Sequence, residues 1–132
     1  NSQAPTSKVT IAPGRNIIRS EATGVWTVDL TISNRNEVME MGSKFKGKKW
    51  GFMGIIANMA PIVDANVSKE FAKFHDELDK VECTAVAFVV GSAVAIKAQS
   101  KRHQDTSNAS GQLVNHFKTE EQALEWFKSL GI

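Results

Sequence analysis

The sequence has one cysteine, Cys83, so no internal disulfide can form. Small secreted domains depend on such cross-links. Their absence points to a reducing compartment, with the cytoplasm as the expected location. No apolar run approaches the length needed to cross a bilayer, so stable membrane insertion is not expected. A charge excess is also lacking. Sixteen basic side chains against fourteen acidic ones leave a net charge of +2. That is too little to imply nucleic acid or an anionic membrane as a general partner.

The usual signatures of chemistry are missing too. His75, His103 and His116 are far apart, and the adjacent Asp76 and Glu77 do not complete a ligand set. The ligand spacing of a structural zinc site is absent. There is no G-x-S-x-G elbow. Residues 43–46 match S-x-x-K, but on a predicted surface helix. Neither G-x-G-x-x-G nor G-K-[ST] occurs. Gly91-Ser92 follows a predicted strand and reads as a tight turn with a serine cap. Cys83 precedes an apolar strand with no histidine nearby and reads as a small buried hydrophobe. Asp29, Asp64, His75 and His116 could act as acids or bases, but no spacing brings two of them together. No metal, no cofactor and no enzymatic activity is expected. Lys44, Lys46, Lys48 and Lys49 cluster beside Phe45 and Trp50. Single-stranded nucleic acid can be held by such a mixture, but both aromatics are assigned to the core, and nucleic-acid binding is not expected.

What is present is the patterning of an α/β protein. At 132 residues the chain suggests one domain, spanning 1–132, with 1–7 flexible. Val9 and Ile11 alternate with polar neighbours, Pro13-Gly14 signals a turn, and residues 16–19 continue in extended form. Ala22-Thr23-Gly24 reads as a second turn. Val25, Trp26, Val28, Leu30 and Ile32 then predict a half-buried strand closing an antiparallel hairpin. Asn34 with Glu37 offers a capping box for a first helix through Val38, Met41 and Phe45, weakened by Gly42 and ended near Gly47.

Residues 48–57 read as a buried strand, with Trp50, Phe52, Ile55 and Ile56 serving both faces. A short loop follows, then a helix capped by Asp64 or Asn66, with Phe71, Phe74 and Leu78 facing the sheet. Residues 84–91 are the most apolar run and predict a central parallel strand. Ser92 caps a predicted third helix with Lys97, Lys101, Arg102 and His103 on its outer side. Residues 104–112 predict a polar loop. Leu113, Val114 and Phe117 form a last strand. Residues 119–122 form a capping box for a final helix with Ala123, Trp126, Phe127 and Leu130 inward. The predicted order is β-β-α-β-α-β-α-β-α. The predicted sheet has four or five mostly parallel strands, covered by about four helices.

Open α/β sheets bind their ligands outside the carboxyl edge. The loop at that edge is unusually apolar, with Met59, Pro61, Ile62 and Val63. The candidate site is therefore Asn58, Met59, Pro61, Ile62, Asp64, Asn66 and Ser68.

Several stretches together resemble one family: Gly24-Val25-Trp26-Thr27, the strand-loop-helix around Asp64, the apolar run from Ala85 to Val90, and the ending FKTEEQALEWF at residues 117–127. The chain resembles the SpoIIAA-like group, small bacterial proteins that share the fold of STAS domains and of CRAL-TRIO lipid-binding domains. The resemblance implies a β-α superhelix and no established activity. STAS switch proteins carry a phosphorylated serine in Asp-Ser-Ser-Gly. The matching residues here are Asp64-Ala65-Asn66-Val67, so that switch does not carry over. Ser68 is the nearest hydroxyl. The expected function is a non-enzymatic binding or regulatory module acting through loop 58–67 on an unknown protein partner. The alternative is a carrier of a small apolar or lipid ligand. The exposed hairpin edge also leaves a homodimer open.

Overall fold

The computed structural model describes residues 5–91, 97, 101 and 113–132. A five-stranded sheet runs in the order β1 (Thr6–Ile11), β2 (Ile17–Gly24), β3 (Gly51–Met59), β4 (Ala85–Val89), β5 (Leu113–Phe117). The β1–β2 hairpin is antiparallel and the other three pairings are parallel. The described helices are α1 (Val28–Gly42), α2 (Ala65–Lys80) and α3 (Glu120–Ser129). The helix predicted from Ser92 and the loop predicted over 104–112 fall outside the described residues, except that Lys97 and Lys101 are helical and exposed.

Each parallel strand is laid beside the last in one direction. Right-handed connections then place their helices on one face of the sheet. α1 and α2 lie together there, joined by Arg35 Nη1 donating to Glu70 Oε1 at 2.8 Å. α3 covers the opposite face, where Phe127 and Ala123 pack with Ile17, Met53, Ala85 and Ala87. Arg19 grips Glu120 through Nε at 3.0 Å and Nη2 at 2.7 Å, fixing the start of α3 to β2. Thr119 caps α3 by accepting from the Gln122 N–H at 3.3 Å. The return bond of the predicted capping box goes to the Lys118 N–H, one residue early.

The first helix corrects the sequence reading. The chain turns near Pro13-Gly14 as predicted, but that turn joins the two strands of the hairpin, β1 and β2, and residues 25–33 form no strand. Thr27 accepts from the Leu30 N–H at 3.2 Å and starts a helix where alternation predicted extended chain. The buried positions of α1 are Thr31, Asn34, Val38 and Gly42. Their spacing is helical, but three of the four are polar or glycine, so no apolar stripe marks the helix. Asn34, predicted as a cap, is a buried residue in mid-helix. α1 ends at Gly42, where the Trp50 indole occupies the side-chain space; a Cβ there would lie 2.7 Å from Trp50 Cη2. Trp50 is fully buried and donates through Nε1 to the Val81 carbonyl at 3.1 Å. It anchors a cluster with Val38, Leu78 and Val86, each buried side chain contributing about 1.5–3 kcal/mol.

Candidate functional site at the carboxyl edge

β2 ends at Gly24, whose φ of +78° suits glycine, and β3 ends at Met59. The Ala60 N–H donates to the Gly24 carbonyl at 2.9 Å, tying the two strand ends together. From this edge the chain enters α1 after Thr27 and α2 after Asp64. Asp64 Oδ1 accepts from the Asn66 N–H at 2.8 Å, so Asp64 is the cap. Segments 25–29 and 60–64 thus face each other.

A bulge shapes what lies below. Glu21 pairs with Ile55, but Thr23 pairs with Asn58. Two steps on β2 match three on β3, so β3 carries one extra residue. Beyond it the alternation slips by one. Met59 therefore joins Gly54 and Ile56 on the face under α1 and α2.

Two concavities result. Beneath the loop is a cavity of about 50 Å³, walled by the rings of Trp26, Phe52, Phe71, Phe74 and Phe88 with Ala22, Ile56, Met59 and Ile62. Trp26 donates through Nε1 to the Thr23 carbonyl at 3.1 Å, which fixes its ring. Three buried polar residues also line the cavity: Ser20, Asn34 and His75. Outside the loop is a groove of about 420 Å³ between residues 25–29 and 61–64. Trp26 and Ile62 line both spaces. Among the described residues the groove rim carries Asp29 and Asp64 and no basic side chain. Val63 is 92 % exposed and Val25 45 % exposed at its walls.

The candidate residues divide between these spaces. Met59 and Ile62 line the cavity, while Pro61, Ile62 and Asp64 line the groove. Asn58 and Asn66 are exposed and line neither. Ser68 is half-buried in the first turn of α2, its N–H donating to the Asp64 carbonyl at 3.1 Å. Sequence reasoning missed Ser20, Trp26 and Asn34 as lining residues. The one available signal was the Val25-Trp26 pair, which breaks the alternation directly after a glycine.

Of the candidate acids and bases, His75 and His116 are brought to one ring. Phe88 lies edge-on to His75 at 5.8 Å between centroids and stacks on His116 at 5.4 Å. Burial, then the charges of Lys97, Lys101 and His75, push the His116 pKa down to about 4. Neutral His116 is thus the form at pH 7. The Cys83 thiol donates to the Ala85 carbonyl at 3.3 Å and is pushed up to about 12 by burial, which leaves almost no thiolate for nucleophilic chemistry. Among the described residues no three His, Cys, Asp or Glu side chains are grouped to hold a metal, and no helix is long and apolar enough to cross a membrane.

No protein-family model matches this chain, and no curated protein matches it at a significant level.

Proposed function

We propose that this chain is a non-enzymatic binding or regulatory module that holds a protein partner at the carboxyl edge of its sheet. The observation that carries this reading is the exposure of Val63 beside Val25 in one groove. Apolar side chains grouped in the open mark interaction surfaces. Asp29 and Asp64 at the rim favour a partner segment with an apolar side chain flanked by lysine or arginine. Trp50 is fully buried and stacked with Phe45 at 5.9 Å. The nearby lysines therefore lack its face for stacking a base, and nucleic acid has no part in this reading. The one-directional strand order and the Asp64-capped α2 support kinship with SpoIIAA-like and STAS proteins, and with it a bacterial, cytoplasmic setting. Ala65 and Asn66 stand where STAS switches carry serines, so partner exchange here runs without that phosphorylation.

Met59 is 5 % exposed, so a charge placed there tests folding rather than docking. The informative variant is Val25→Asp with Val63→Asp, whose stability should stay within about 0.5 kcal/mol per site of the parent. A photocrosslinker at exposed Ala65 should trap a discrete partner with the parent chain. The double variant should lose that product at least roughly tenfold, the effect of about 1.4 kcal/mol of binding energy. An unchanged yield would place the surface elsewhere.

A further inference from the structure

The cavity beneath the loop holds an unmet hydrogen-bonding group. Asn34 is 3 % exposed, and its Nδ2 donates to Ser7 Oγ at 2.8 Å and Ser20 Oγ at 2.9 Å. Among the described residues Oδ1 has no partner. Turning the amide around would let the oxygen accept from both serine hydroxyls and leave the Nδ2 hydrogens unmet, so either orientation leaves one end of the amide without a partner. Ser20, also 3 % exposed, accepts from Asn34 in the first orientation and donates to it in the second. Both residues line the cavity among five aromatic rings. A buried polar group without a partner is costly, and such groups are few in native proteins and each calls for an explanation, a bound molecule among them.

We infer that this cavity is a binding site for a small uncharged amphiphile, an apolar body carrying one hydroxyl or carbonyl head. The head meets Asn34 and Ser20. The body lies against Phe52, Phe88 and Met59. Among the described residues no lysine or arginine lines the cavity, so a carboxylate or phosphate would find no lysine or arginine counter-charge there, at high cost. Size sets a further limit. A cavity of about 150 Å³ takes benzene, and this one is about 50 Å³. Only a few heavy atoms are enclosed, and the remainder leaves past Trp26 and Ile62, which the cavity shares with the groove. The inference needs no partner on the docking surface proposed above, although the two sites share Trp26 and Ile62.

The test is an NMR titration of the full chain with 1-hexanol and, in parallel, with n-hexane. The alcohol should give saturable shifts at the Asn34 side-chain amide and the Trp26 indole N–H, with NOEs from its chain to the Phe52 and Phe88 rings. The alkane should bind about tenfold more weakly, the worth of one buried hydrogen bond. Asn34→Leu should remove that difference. If Asn34→Leu does not fold, the alcohol–alkane difference in the parent chain decides alone. Non-saturating shifts spread over the surface would overturn the inference. So would equal affinity for both probes, or NOEs at Asn34 to water alone with the alcohol present.

Discussion

Gly51 and Gly54 are three residues apart on β3 and face opposite sides of the sheet. Under α3, a Cβ at Gly51 would enter the Phe127 ring, 2.8 Å from Cδ1. The glycine is there so that one ring can lie flat on the strand, with Ala85 and Ala87 beside it. Under α1 and α2, a Cβ at Gly54 would lie 3.1 Å from the edges of Phe52 and Phe88, rings that border open space. The first face is filled by small residues meeting one large ring. The second is built from large rings and buried polar groups that do not close the gap. Close packing gives stability; the incompletely filled face is where a ligand can enter.

Four variants and conditions can break or sharpen this contrast, taken from the largest effect down. Phe127→Ala should cost about 3–5 kcal/mol, as removal of a fully buried ring does; urea unfolding measures it, and a loss under 1 kcal/mol, well below ~3, would end the claim of a tight face. Gly51→Ala should cost about 1–3 kcal/mol by overpacking the same contact. The pH comes next. His116 is depressed to about 4 in the folded chain, below its usual value near 6.5. The unfolded chain therefore binds the proton first, and stability conferred by neutral His116 is complete above about pH 6.5 and lost as pH falls toward 4. The loss should be of order 1–2 kcal/mol once solvent screening is allowed for. His116→Phe should flatten the curve between pH 6.5 and 4, leaving the carboxylate losses below that range. Gly54→Ala should cost about 1 kcal/mol or less, because its neighbours can yield toward the cavity. A penalty equal to that of Gly51→Ala would erase the distinction between the faces.

Much of the frame was legible in the residues. The apolar run at 84–91 contains β4 (Ala85–Val89), and the final helix lies where its cap and apolar spacing placed it. β3 and α2 follow the predicted strand-loop-helix, with Val67, Phe74, His75 and Leu78 buried on α2. The second half of α1 was read as helix from Asn34, but its start at Val28 was not legible, because Thr31 and Asn34 fill positions that apolar residues usually hold. Asn34 is held by Ser7 and Ser20 from the sheet and Gly42 meets Trp50, contacts that no local pattern records. The edge loop was visible as an apolar stretch. Its division into an inner cavity and an outer groove was not. That division follows from the extra residue on β3, which turns Met59 inward, and register is set by pairing between strands.

The most direct test of the two-faced sheet is a crystal structure of the chain under xenon pressure. Xenon enters apolar cavities that close packing leaves open. A xenon atom among Ala22, Ile56, Met59 and Phe88, with none beside Phe127, is the predicted result. A closed contact between those four side chains, with no bound atom, would contradict it.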